Sequence, residues 1–326
     1  MPQAPHHPAP TIETLQLRSG RVDVLRQLQR AAAYARPGTE PVGPLRLTTH
    51  FLRCTRHLET FRDWFGNPDH RALQEALAWR PSLALCVVHP YLNTAWPAEH
   101  KLDVIATHYD MLRGRLGFLR FAPHASIAVA DVGAGIQIRL DKPGKFEHEG
   151  ELTINLFSGE LRLYSLTFTL GRLATQRVAY AGGLQGLGSP DALEIYRTLT
   201  HRMHGLRPRD LLITAFRVLC LALGVARILA IGDRHRVSTS AYFKSSTLVF
   251  TSYDSAWVEN GGAVAADDGF FELSPHVDPR AVRDIPSRKR AQYRRRYALV
   301  ETLSREIGDT LKLASRPHAM ATIDRA

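Results

Sequence analysis

The stretch from Glu151 to Leu170, ELTINLFSGELRLYSLTFTL, limits the folds open to this chain more than any other. Its period-two alternation predicts two strands, and Ser158-Gly159 sits where a tight turn reverses the chain between them. Ser126 to Leu140, SIAVADVGAGIQIRL, carries the same period, and Arg177 to Leu184 supplies another strand. Helical spacing then fits Asp191 to His204 and Pro208 to Leu223. The second of these has proline in its first turn and Gly224 just past its end. Arg227 to Ile231 (RILAI) reads as a short buried strand, Leu248 to Thr251 as a further strand, and Ile285 to Leu313 as a long basic helix. A meander followed by a strand–helix–strand unit argues for an α+β fold with a mixed, mainly antiparallel sheet.

The chain before His124 has a different character. Residues 1–10 form a Pro- and His-rich tail, whose His6 and His7 read as mobile. Leu15, Val22, Leu25, Leu28 and Ala32 then recur at helical spacing until Pro37-Gly38 stops the pattern. From Leu45 to Leu119 the text is mostly helical, punctuated by Pro68, Pro81, Pro90 and Pro97. The expected organisation is therefore a flexible tail with one helix over 1–44, a mainly helical region over 45–123, and an α+β domain over 124–326 that ends in the basic helix. With 44% hydrophobic residues the chain can bury a core. No run reaches the 18 or so apolar residues of a membrane span: Leu211 to Ile231 is interrupted by Thr214, Arg217, Gly224 and Arg227. MPQAPHHPAP has no basic-then-apolar export pattern, and Cys54, Cys86 and Cys220 lack CxxC spacing. The expectation is a cytoplasmic protein with reduced thiols and neither disulfide framework nor structural zinc.

Charge adds a lead. There are 42 Lys and Arg against 31 Asp and Glu, a net +11. That balance favours polyanionic partners such as nucleic acid, anionic lipid heads or phosphate-bearing cofactors, although an Arg-rich composition alone produces the same sum. From Arg288 to Arg296, RKRAQYRRR places six basic residues around Tyr293. Guanidinium planes suit phosphate, and interleaved aromatics suit a base or an adenine. The same text also describes an amphipathic helix whose tyrosines dock on a core. GGLQGLGSP, with glycines at 182, 183, 186 and 188, follows a strand and precedes a helix, where positive φ and helix-start amides can cradle phosphate. A plain turn is the alternative. In THRMHGLRPRD, His201 and His204 lie three apart, followed by Arg207, Arg209 and Asp210; His204 is a candidate base or a satisfied helix-end histidine. Asp233 and His235 end the RILAI strand, where α/β sites collect reactive groups. In YDSAWVENGG, Asp254 reads as a helix N-cap, Tyr253 and Trp257 pack at four-residue spacing, and Tyr253 can donate a proton to a leaving thiolate. Asp267, Asp268 and Glu272 fit no known cation loop.

Seven ordered segments carry a resemblance: KFEHEGELTINL, YAGGLQG, MHGLRPRDLL, ARILAIGDRHRV, YDSAWVENGG, DGFFELSP and SRKRAQYRRRYALVETL. Together with HPYLNTAW and the Trp64–Pro68 region they resemble the VirK/YbjX family of bacterial proteins over residues 45–305. Where that family leads one to expect lysine just before HGLRP, this chain has Thr200 and His201. The resemblance implies a part in virulence, envelope defence and resistance to antimicrobial peptides, without a settled chemistry. Separately, Gln185-x-x-Gly188 is similar to the pyrophosphate turn of the N-acyltransferase (GNAT-like) fold, with Pro190 where that motif wants glycine or alanine. Two functions follow as expectations. One is an acyltransferase using acyl-CoA or another phosphate-bearing acyl donor, with Gln185, Gly186, Gly188, Arg207 and Arg290 holding the donor and Tyr253, His235 or His204 handling the proton. The other is a non-enzymatic basic protein that binds RNA or an anionic membrane surface through its arginine-rich helix. Neither calls for a metal or a covalently bound cofactor.

Overall fold

Eight strands join one sheet in the computed structural model, which describes residues 56–113, 126–243 and 252–314, apart from 66, 134, 143, 267, 268, 278 and 280. They are β1 (Ser126–Gly133), β2 (Ile136–Asp141), β3 (Leu152–Ser158), β4 (Leu161–Leu173), β5 (Gln176–Gly186), β6 (Arg227–Ile231), β7 (Ala263–Val264) and β8 (Phe270–Leu273). Their spatial order is β1-β2-β3-β4-β5-β6-β8-β7, and every neighbouring pair is antiparallel except β5 with β6. The α+β class expected from the meander and the crossover unit holds. Helix candidates and the strand placed in residues 1–55 and at 248–251 lie outside the described residues.

Particular residues produce this ladder. Ser126–Leu140, read above as one alternating stretch, is a hairpin, because Gly133 and Gly135 take φ of +84° and +74° and reverse the chain. Gly159, at φ +56°, turns β3 into β4 where the sequence placed the turn. Leu152, Ile154 and Leu156 on β3 and Leu166, Phe168 and Leu170 on β4 are fully buried. Phe168 meets Phe216 of the crossover helix at 5.0 Å between ring centroids. The opposite face is buried too, and it is polar: Thr153, Asn155, Ser165, Thr167 and Thr169 are all at most 3% exposed. These groups satisfy one another, as buried polar groups must. Thr153 and Thr167 hydroxyls lie 3.2 Å apart, Ser165 Oγ donates to Asn155 Oδ1, and Asn155 Nδ2 donates to Asp141 Oδ2.

Two compact units divide the chain between residues 85 and 86. In the first, α1 (Leu58–Phe65) and α2 (Arg71–Trp79) flank Asn67, whose side chain accepts from Asp69 N at 2.9 Å, and Phe61 stacks on Phe65 at 5.3 Å. The second carries the sheet together with α3 (Ala98–Arg113), α4 (Ala192–Arg202), α5 (Pro208–Ala222), α6 (Tyr253–Glu259) and α7 (Arg290–Ala314). Thus α3 belongs with the sheet rather than with the helical region that the sequence reading ended at 123. The reason is hydrogen bonding. Tyr91 and Tyr109 hydroxyls donate to the buried Glu151 carboxylate at 3.0 and 2.6 Å, and His108 Nδ1 accepts from Leu170 N of β4 at 3.1 Å. Helix α7 starts at Arg290, after a single turn over Ser287–Lys289, and its C-terminal half is the anchored half. Leu303, Ile307 and Leu311 are buried at four-residue spacing, and Glu306 accepts from Asp131 N of β1 at 2.6 Å.

Candidate functional site

Strand β5 outlasts its parallel neighbour. Val178–Ala181 pair with Arg227–Ala230, after which β5 runs five more residues to Gly186 with no strand on that side. The first residue of α6 fills the opening. Tyr253 Oη accepts from Leu184 N at 2.9 Å and from Gln185 Nε2 at 3.0 Å, and Gln185 Nε2 also donates to Glu149 Oε1 at 2.9 Å. Gly182 and Gly183 explain how Glu149 comes so close. A Cβ on Gly182 would overlap the Glu149 carbonyl oxygen, and one on Gly183 would overlap its carboxylate. None of glycines 182, 183, 186 and 188 has positive φ, and the first three lie within β5. The glycine density expected to make a turn instead admits another stretch of chain against a strand.

The loop after β6 and the start of α6 are laced together. Asp233 accepts from Tyr253 N at 2.9 Å and from Ser252 Oγ at 2.7 Å, and it pairs with Arg236 at 3.0 Å. Asp254 accepts from Asp233 N at 2.7 Å. The N-cap of α6 is therefore Ser252, whose Oγ accepts from Ser255 N, and not Asp254. Arg236 lies over the Tyr253 ring at 4.9 Å, and Trp257 donates to Ile231 O at 2.8 Å and meets Tyr253 edge-on. Burial foremost, then the Glu149 charge, pushes the Tyr253 phenol up, so it stays protonated. His235 packs against Gly269, where a Cβ would lie 2.5 Å from its ring, and its carbonyl accepts from Thr94 N at 2.9 Å.

A cavity of about 870 Å³ opens beyond Gly186; its lining includes Tyr164, Tyr196, Arg197, His204, Arg207 and Arg295. Tyr164 stacks on Tyr196 at 4.9 Å, and burial raises both phenols. Tyr196 Oη accepts from Leu187 N at 2.6 Å and donates to Leu163 O at 3.1 Å. His204 lies just past the end of α4 with φ +55°, and Gly205 N closes the helix on Thr200 O at 2.8 Å. His201 and His204 thus do not share a helical face. Arg207 holds Asp210 at 2.6 Å and Glu259 at 2.5 Å, and Arg209 also holds Glu259. Hydrogen bonds from Arg207, joined by Arg209, keep the Glu259 carboxyl below its ordinary range. Arg197, Arg288 and Arg295 line the same cavity and make no ion pair among the described residues.

The expected site residues accordingly fall into separate groups. Tyr253 and Gln185 meet directly, with Gly186 adjoining them on β5, and His204 and Arg207 both line the cavity. Nothing lies within 4 Å of a Cβ built on Gly188. Arg290 is not among the cavity's lining residues and donates to Ile285 O at 3.1 Å. Glu149, Tyr164, Tyr196 and Arg197 were not singled out in the sequence. The pairing of Tyr164 with Gly186 across β4 and β5 brings the tyrosines in, and no local motif announces such a pairing. Among the described residues no group of three or more His, Cys, Asp or Glu is placed to hold a metal ion, and no helix is long and apolar enough to cross a membrane.

A family model described as "Protein of unknown function (DUF535)" matches residues 46–309, and the chain belongs to this bacterial family, the VirK/YbjX family to which its motifs pointed. Among its relatives is the uncharacterized protein YbjX of Escherichia coli (strain K12), 26% identical over 251 residues, or 74% of this chain and 76% of the relative. Two uncharacterized proteins of Haemophilus influenzae are 27% identical over 165 residues and 32% identical over 130. The first match covers 49% of this chain and 52% of the relative, the second 40% and 42%. No solved structure matches the chain.

Proposed function

We propose that the protein is an acyltransferase of N-acyltransferase-like fold that takes its acyl group from acyl-CoA or another phosphate-bearing thioester. One observation carries the reading: the only parallel pair in the described sheet separates after Ala181, and a protonated phenol stands in the gap. An extended donor arm can lie beside this end of β5, where no strand continues the sheet. The acceptor's nucleophile attacks the thioester carbonyl, the tetrahedral intermediate collapses, and the departing thiolate takes the Tyr253 proton. The phenol is protonated at neutral pH and stands within hydrogen-bond reach of the gap. Glu149, fixed by Gln185 on the same edge, is the carboxylate we assign to receive the acceptor's proton. Acylation of lipid or peptide acceptors would fit the envelope-defence role that the family resemblance implies.

The test separates binding from chemistry. Tyr253→Phe removes one hydroxyl and should leave the thermal shift produced by acyl-CoA within a degree or so of wild type. Release of free thiol with a competent acceptor should fall about 10²–10⁴-fold. A variant that turns over normally would refute the proton-donor role. The second reading, a non-catalytic binder of RNA or anionic membrane, draws on the exposed arginines of α7; it gains if acyl-CoAs cause no shift while RNA causes a salt-sensitive one.

A further inference from the structure

We infer that the arginine cavity beside α4 and α7, rather than the glycine-dense segment, holds the phosphate end of the donor, and that the donor carries its phosphate on a long arm. The inference rests on the acyl-transfer reading for the donor's identity, but not for the anion site itself. Three features carry it. First, Arg197, Arg288 and Arg295 converge on one cavity without a carboxylate partner among the described residues, whereas Arg207 and Arg209 at the same cavity are already engaged by Asp210 and Glu259. Like charges gathered in one concave place repel one another, and a di- or trianionic phosphate group removes that repulsion. Second, the floor is two stacked tyrosines, and Leu193, 59% exposed, stands at the rim. That combination takes a phosphate joined to a flat or apolar group, and the volume of about 870 Å³ is that of an organic-ligand site. Third, the glycine-dense segment offers few free donors. The Leu184 amide is held by Tyr253 and the Leu187 amide by Tyr196.

The stretch of chain between the gap and the cavity sets the length of the ligand. The Tyr253 and Tyr196 hydroxyls take amides three residues apart, roughly 10 Å along the chain at about 3.3 Å per residue. An acyl phosphate, with phosphorus one atom from the carbonyl carbon, cannot reach both places. A thioester whose sulfur is joined to its diphosphate by a long flexible arm can.

The experiment is calorimetric titration of the full-length protein and its variants at two salt concentrations. Its probes are inorganic pyrophosphate, adenosine 3′,5′-bisphosphate, acetyl phosphate, acetyl-CoA, and vesicles containing phosphatidic acid. Arg288→Ala changes an exposed side chain of the turn that leads into α7, and Arg295→Ala one of α7 itself, which is anchored by its C-terminal half, so both should fold. Each should weaken the bisphosphate and acetyl-CoA about tenfold or more. Arg294→Ala removes the same charge from the same helix outside the cavity and should weaken them less than twofold. Acetyl phosphate should bind no better than pyrophosphate. The site is overturned if Arg294→Ala matches the cavity variants, if acetyl-CoA binds but ignores Arg288 and Arg295, or if only vesicles bind. Arginine-dependent binding of soluble organic phosphates without any thiol release would uphold the anion site and sink the transferase reading instead.

Discussion

At the scale of single residues, glycine is the clearest case of a correct observation with a different cause. The density of glycine from 182 to 188 is plain in the sequence, and a phosphate turn is its local reading. Its cause is tertiary: Glu149, some thirty residues upstream, needs the space that two missing Cβ atoms leave. No local pattern encodes that neighbour. Gly182→Ala would drive a methyl into the Glu149 carbonyl and crowd Leu92. It should cost about 1–3 kcal/mol, the range for overpacked sites. Gly188→Ala, which meets nothing and needs no positive φ, should stay within about 0.5 kcal/mol. Urea midpoints of the two variants check this pair of values, and equal midpoints would refute the packing account. Tyr253 was named from its chemistry alone; what the sequence withheld was its partner, since the bond to Leu184 spans 69 positions.

Among elements, those with strong internal periodicity were readable and those held by neighbours were not. Strands β3 and β6 and helix α5 fall within a residue or two of their expected bounds, and β4 runs three residues past its expected end at Leu170. Strands β7 and β8 were missed. Each is four residues or fewer, β7 is exposed at its tip, and β8 exists because it slots between β6 and β7. An ion pair helps keep β8 there: Arg227 of β6 holds Glu272 of β8 through two bonds of 2.7 and 2.8 Å. Hydrogen bonding from Arg227 lowers the Glu272 carboxyl below its ordinary 4.5. A carboxyl depressed in the folded state stabilises the fold above that ordinary value, and the contribution disappears as pH falls through the depressed one. Both side chains are about one-third exposed, so roughly 0.5–1 kcal/mol is expected. Glu272→Gln should therefore trail wild type by that amount at pH 7 and meet it once the pH has fallen below the depressed value; a gap unchanged by pH would rule out the pair as its source. The alternation that announced β3 and β4 conveyed only half of their surroundings. Periodicity marks which side chains share a face, but a polar face satisfied internally, as Thr153, Asn155 and Ser165 are, carries no mark that it is covered.

Across the whole molecule, the sheet is five strands of antiparallel meander joined to a three-stranded group through β5 and β6. The class was readable because each part is built from near neighbours in the chain. The boundary at residue 86 was not, because α3 is tied to the sheet by Tyr109 acting on Glu151, just before β3, and His108 acting on Leu170 of β4, some 40 to 60 positions away. Stability should follow the same layout. Amide exchange of Ile154 and Leu166, buried with paired strands on both sides, should require global unfolding, while Ala263 and Val264 at the far edge should exchange through local opening. Protection of equal size at both places would contradict a sheet secured from its centre. The joint between β5 and β6 has a consequence of its own. A ladder that ends against another strand can admit a guest only by tearing backbone bonds, and the sheet would unzip. Here it ends against a side-chain hydroxyl, whose bond to Leu184 can be exchanged while four residue pairs stay closed behind it. The Leu184 amide then exchanges one oxygen for another at little net cost. The seam is thus sealed by one side chain rather than by a strand, and the wall beside it does not depend on that seal.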